Sequence, residues 1–171
     1  MNKALFLDRD GVINLDCGYP HKPEHIRFRD GIFELCKKAL QHNYLIIVVT
    51  NQAGIARGYF KESDVEGLHE WMKLQFRSRG VIITDFYYCP YHPSATLQSY
   101  RKDSTFRKPG PGMILQAACE HNIDIERSIM IGDKESDRIK LPNLKSYILK
   151  SNYVESGYDV ESLLDVQALL V

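Results

Sequence analysis

Two aspartates one residue apart, Asp8 and Asp10, close an apolar run, Ala4-Leu5-Phe6-Leu7, and are followed by Gly11. Carboxylates held this close repel one another unless a cation or a shared proton relieves them. The pair therefore suits a Mg²⁺ site in which one carboxylate attacks and the other moves a proton. A solvated Asp-x-Asp turn is the competing reading, and the pair alone does not choose between them. Polar groups recur after three later runs. Thr50-Asn51-Gln52 follows Leu45 to Val49; a loop bearing Arg101, Lys102, Arg107 and Lys108 follows Asp85 to Tyr88; Gly132-Asp133-Lys134-Glu135-Ser136-Asp137 follows Ser128 to Ile131. Together they supply what phosphoryl transfer needs: a nucleophile, a cation to neutralise developing charge, and donors for the equatorial oxygens. Asp8 is assigned the attack. Asp10 protonates the leaving alcohol and then activates water against the aspartyl phosphate. Mg²⁺ is expected on Asp8, the Asp10 carbonyl and Asp133, with Thr50 and Lys108 as donors. Asp137 is assigned to orienting Lys108 or a metal-bound water.

These groups converge only if the apolar runs are strands ending at one edge. Runs too uniformly apolar to have a wet face read as strands buried on both sides, and helical periods alternate with them. Helices are expected over residues 31–42, from a Ser63-Asp64-Val65-Glu66 capping box to about Arg79, over 113–121 and over 160–170, with a short one at 138–143 interrupted by Pro142. The pattern predicts an α/β domain with a parallel sheet and helices on both faces, its ligand edge at the carboxyl ends of the strands. Prolines keep Asp16 to Pro23 and residues 90–112 as loops; His21 and His25, in the first, either contact a ligand or are solvated. Cys36 and Trp71 read as packing residues, and His69 as a surface or core residue without a nameable partner.

With 171 residues, one domain spanning 1–171 is expected. Lys plus Arg number 22 and Asp plus Glu 22, so no global field draws the chain to nucleic acid or an anionic membrane. Met1-Asn2-Lys3 runs straight into the first strand and the four cysteines are scattered. A reduced, cytoplasmic, monomeric protein without a targeting segment or membrane span is expected.

Asp8-Arg9-Asp10-Gly11-Val12, Thr50-Asn51-Gln52, Arg107-Lys108-Pro109 and Gly132-Asp133 resemble, in order, the four motifs of the haloacid dehalogenase superfamily. More narrowly, Gly18-Tyr19, Thr50 to Gly58, Tyr87-Tyr88-Cys89-Pro90 and Gly132-Asp133-Lys134 resemble the D-glycero-D-manno-heptose 1,7-bisphosphate phosphatases and the related histidinol-phosphatase domains. The resemblance implies a Rossmann-like domain with no large cap, Mg²⁺ dependence, and a pocket lined by Asp16, Cys17, Gly18, Tyr19, Thr50, Asn51, Gln52, Ala53, Arg107, Lys108 and Lys134. It also implies a phosphomonoesterase acting on a heptose bisphosphate, on the way to a nucleotide-activated heptose for lipopolysaccharide or capsule. Histidinol phosphate is the alternative substrate, and a non-catalytic phospho-sugar-binding module the alternative of another class.

Two departures stand out. Those relatives carry a structural zinc on a Cys-x-His and a later Cys-x-Cys, where this chain has Cys89, Tyr91, Ser104 and Phe106. His92 falls one residue late. Structural zinc is therefore expected to be absent, and an aromatic contact between Tyr91 and Phe106 is expected in its place. The other departure is Pro142, which alters the path into the last strand.

Overall fold

β1 (Lys3–Leu7) takes the middle of the sheet because it is apolar on both faces: Leu5 and Leu7 enter one core, Ala4 and Phe6 the other. A run with no polar side needs cover on both, which a central strand of a parallel sheet has. β2 (Tyr44–Asn51), β3 (Asp85–Cys89), β4 (Ile129–Gly132) and β5 (Lys145–Ile148) complete the sheet. Their order is β3-β2-β1-β4-β5 and all pairings are parallel. The structure, a computed structural model, describes residues 1–171. Leu7 is in register with Val48 on one side and Ile131 on the other, so Asp8, Thr50 and Asp133 leave the sheet at one edge.

Helices α1 (Ile32–Gln41), α3 (Glu62–Ser78) and α5 (Leu163–Gln167) cover one face through Leu35, Cys36, Met72, Phe76, Leu163 and Val166. The short α2 (Ala53–Ala56) leaves β2 beside the site. On the other face α4 (Gly112–Glu120) contributes Met113, Ile114 and Ala117, joined by Ile139 and Leu144 from the β4–β5 crossover. Cys36 is a core thiol pushed up to about 12 by burial, and Trp71 stacks on Phe28 at 6.0 Å. No helix is long and apolar enough to cross a membrane.

Three expectations are corrected. Residues 138–143 form no helix: a 3-10 turn at Glu135–Asp137 gives way to turns. Pro142 removes a helical donor, the Lys140 N–H donates instead to the Pro109 carbonyl at 2.8 Å, and Ile139 and Leu144 reach the core without helical spacing. α3 starts at Glu62, and its first turn is closed by Asp64, which accepts the Lys61 N–H at 2.8 Å; Ser63 and Glu66 do not form the expected box. The last helix is shorter than 160–170, because Val160 is bridged to Leu149 and Ser162 caps the turn that follows.

Candidate active site

Asp8 enters the site directly from β1, its own N–H donating to the Ile131 carbonyl at 3.0 Å. Its Oδ1 accepts the Arg9 N–H at 2.9 Å and the Lys108 ammonium at 2.8 Å. Those two donors fix the carboxylate through Oδ1 and leave Oδ2 without a donor. The same ammonium donates to Asp137 Oδ1 at 2.6 Å, while Asp137 Oδ2 accepts the N–H groups of Asp133 and Lys134 at 3.0 and 3.1 Å. Both Asp137 oxygens are thus engaged in holding Lys108 and the β4 loop.

Lys108 is presented by Asn51, whose side chain accepts the Lys108 N–H at 2.9 Å and donates to its carbonyl at 3.2 Å. This pins the long basic loop to the end of β2. Burial opposes the Lys108 charge, but Asp137 and then Asp8 outweigh it and raise the ammonium above its ordinary range.

Glycine is required at two points. Gly11 has φ +92°, and a Cβ there would lie 2.0 Å from Asp133 Oδ2; a Cβ on Gly132 would lie 2.0 Å from the Asp137 Cβ. The loops after β1 and β4 therefore close on one another, bringing oxygens of Asp8, Asp133 and Asp137 within 4.8 Å. The like charges are strained. Burial first, and Asp137 next, raise Asp8 well above the usual carboxylate range and Asp133 to about 6. Asp133 Oδ1 is buried without a hydrogen-bond partner. An acidic cluster with one ammonium and an orphaned oxygen fits a hard divalent cation.

Asp10 is held by a different network. Arg9, fully buried, donates to its two oxygens at 3.0 and 3.2 Å and to the Pro20 carbonyl at 2.8 Å. Asn14 and Gln52 add donors at 3.0 and 3.3 Å, and Gln52 also donates to Thr50 at 2.9 Å. On the far side Arg9 meets His69 Nε2 at 3.1 Å. A guanidinium only donates, so this nitrogen accepts and the ring is neutral; burial, then the charges of Arg9 and Lys73, hold His69 well below its ordinary range.

A cleft of about 310 Å³ opens above these groups. The expected residues Asp8, Asp10, Asp16, Gly18, Tyr19, Thr50, Asn51, Gln52, Ala53, Arg107, Lys108 and Lys134 line it, together with Asp137. Cys17 does not: its thiol turns to the His25 carbonyl at 3.7 Å. His21 and His25 also lie outside, His21 stacked on Phe60 at 4.8 Å and His25 accepting two backbone N–H groups. Arg57, His92 and Ser136, seen in the sequence without a role in the cleft, also line it, as does Tyr153, which no motif contains. Arg57 and Arg107 crowd positive charge at one end, and the His92 ring beside them is held neutral. Burial lowers Arg107, with Arg57 adding to the effect, and burial followed by Arg107 and Arg57 lowers His92. A cationic cluster of this kind receives an anion at low desolvation cost.

The loop carrying Arg107 is not held by the expected aromatic pair. Phe106 is 37% exposed, and Tyr91 faces Tyr100 at 6.1 Å and the Lys102 ammonium at 4.3 Å. Glu62 and Glu66 of α3 make the tie: Glu62 accepts the Tyr100 hydroxyl at 2.9 Å, and the single Tyr88 hydroxyl proton is shared between Glu62 at 2.9 Å and Glu66 at 2.8 Å. A backbone bond from His92 N–H to the Tyr100 carbonyl at 3.1 Å closes the loop on itself. Charged residues did the job that the large side chains suggested for an aromatic contact.

Residues 19–154 match a family model described as polynucleotide kinase 3 phosphatase, a span that starts beyond Asp8 and Asp10. The chain is similar to a D-glycero-alpha-D-manno-heptose-1,7-bisphosphate 7-phosphatase of Burkholderia mallei, 53% identical over 136 residues, covering 80% of this chain and 72% of that one. It is 41% identical over 180 residues to a D-glycero-beta-D-manno-heptose-1,7-bisphosphate 7-phosphatase of Pasteurella multocida, covering 99% and 97% of the two chains. The crystal structure of a D,D-heptose 1,7-bisphosphate phosphatase from B. bronchiseptica, complexed with magnesium and phosphate, superposes with a TM-score of 0.81 at 23% identity, covering 98% and 97%.

Proposed function

The chain belongs to the haloacid dehalogenase-like phosphatases, among the heptose 1,7-bisphosphate phosphatases, and from that premise we propose that it hydrolyses the 7-phosphate of D-glycero-D-manno-heptose 1,7-bisphosphate. One observation carries the bisphosphate: the cleft has a buried centre for one phosphoryl group at Asp8 and Lys108, and a second pair of cations, Arg57 and Arg107, at its mouth with His92 beside them. A monophosphate leaves that pair without a counter-charge.

Asp8 Oδ2 attacks phosphorus, the bond from phosphorus to the sugar oxygen breaks, and Asp10 gives its proton to that oxygen. Asp10 then takes a proton from water as the water oxygen attacks the aspartyl phosphate, releasing phosphate and restoring the Asp8 carboxylate. Lys108 and Thr50 donate to the phosphoryl oxygens. Arg9, Asn14 and Gln52 keep Asp10 aimed. Asp8, the Asp10 carbonyl and Asp133 would hold Mg²⁺, which would neutralise charge on the transferring group. The orphaned Asp133 Oδ1 supports this assignment. Millimolar Mg²⁺ should raise Tm in the wild type and not in Asp133→Asn, a readout independent of turnover.

The reading includes no structural zinc. Tyr91 and Phe106 offer no ligand atoms where the relatives' resemblance expects them, Ser104 is a poor substitute for a thiolate, and Glu62 supplies another tie for the loop. One tightly held zinc per chain, found by elemental analysis of protein purified without chelator, would overturn it. The exposed thiols of Cys17 and Cys119 suit a reducing, cytoplasmic setting.

The function is tested by phosphate release with Mg²⁺ from heptose 1,7-bisphosphate, histidinol phosphate and a 3′-phosphorylated oligonucleotide. The highest kcat/KM is expected for the bisphosphate. A preference for histidinol phosphate or the oligonucleotide would replace the substrate and leave the chemistry standing.

A further inference from the structure

Tyr153 belongs to none of the motifs, yet it ties three loops together at the rim of the cleft. Its hydroxyl donates to Asp16 Oδ2 at 2.8 Å, and its ring lies under the Lys134 ammonium, 4.3 Å from nitrogen to centroid. Asp16 and Lys134 face one another at 3.9 Å, the outer limit of an ion pair. The turn that presents Tyr153 is anchored to the catalytic edge: its N–H donates to Ser151 Oγ at 3.1 Å, and Ser151 Oγ–H donates to the Asp133 carbonyl at 2.6 Å. Val154, next in the chain, is buried. Tyr153 is itself 59% exposed, so packing does not explain its place.

We propose that Tyr153 is a positioning residue for substrate binding, keeping Asp16 occupied so that the Lys134 ammonium stays available to the anionic substrate. Opposite charges at this distance would otherwise close into a direct pair, and Lys134 would then meet the substrate already neutralised. The hydroxyl satisfies one Asp16 oxygen while the Gly18 N–H satisfies the other at 3.2 Å. The ring face holds the ammonium without cancelling its charge. Lys134 and Tyr153 sit at the rim, whereas Asp8 and Lys108 are buried beneath. The clasp is thus placed to act at the mouth of the cleft, above the Asp8 and Asp133 carboxylates, whose charges Lys134 also meets.

This inference rests on the sugar-bisphosphate reading for its natural substrate, but its test does not. Hydrolysis of p-nitrophenyl phosphate, which has no charge beyond its phosphate, reports on the buried centre. Fructose 1,6-bisphosphate as a competitive inhibitor of that reaction reports on the rim. Tyr153→Phe should raise the Ki of the bisphosphate about threefold to fivefold, the scale of an exposed ion pair, while KM and kcat for p-nitrophenyl phosphate shift less. Asp16→Asn removes the competing charge, so adding Tyr153→Phe to it should produce no further rise. The proposal is overturned if Ki and KM rise together, if Tyr153→Phe acts equally in the Asp16→Asn background, or if the bisphosphate fails to inhibit the wild type. Heptose bisphosphate going unhydrolysed while the Ki pattern holds would strike the substrate and uphold the clasp.

Discussion

In the proposed mechanism Asp10 carries the proton in both half-reactions, and four donor atoms from Arg9, Asn14 and Gln52 converge on it. Asp10→Asn keeps the shape and most of these contacts but has no proton to give or take. Its kcat should fall by about 10²–10⁴, measured by steady-state phosphate release at saturating bisphosphate; a loss under tenfold would remove Asp10 from that role. At this scale the sequence was informative where residue type restricts chemistry. Paired aspartates at a strand end, and Lys108 beside a proline in a basic loop, have few other uses together. Arg9 was visible between the two acids, but its burial was not, since arginine is among the residues least often buried. His69 gave no signal because its partner lies 60 positions away. Tyr153 stands outside every motif, and only loop closure brings it to the cleft; Arg57, which follows α2 directly, was in view without a role.

The strands were legible because unbroken apolar runs such as Leu45 to Val49 have one solution in an α/β domain, a doubly covered parallel strand. Connections were less so. The β4–β5 crossover replaces a helix with turns, and its apolar residues Ile139 and Leu144 do not distinguish the two. The long segment after β3 was legible as a loop, but its tie was misjudged, because tyrosine hydroxyls meeting the carboxylates of a distant helix leave no local pattern. Glu62→Ala should free that loop and raise KM for the bisphosphate several-fold, since hydrogen bonds to a charged group are worth about 1.5–3 kcal/mol each before solvent screening. Phe106→Ala should leave KM within about twofold, as an exposed side chain contributes little. Steady-state kinetics of the two variants side by side separate the ties: a larger effect from Phe106→Ala would restore the aromatic contact.

For the whole molecule, the site is built at a cost in stability that pH exposes. His69 is held neutral in the fold, below the ordinary histidine value of about 6.5. Above that pH the folded and unfolded chains are both neutral there and nothing is lost. Below it the unfolded chain takes up the proton and the folded chain does not, so stability falls by up to about 1.4 kcal/mol per pH unit until the folded value is reached. His69→Gln, which keeps an acceptor for Arg9, should flatten this part of the slope in denaturant titrations between pH 7 and 5; an unchanged slope would mean the ring is protonated in the fold. Covalent catalysis by Asp8, the carboxylate that follows β1, is the centre of the proposed mechanism. Its most direct test is phosphate release from heptose 1,7-bisphosphate under Mg²⁺ by the wild type and by Asp8→Asn, whose amide cannot form the acyl phosphate. Turnover by the wild type and none above background by the variant is expected; an Asp8→Asn enzyme within tenfold of wild-type kcat would contradict it.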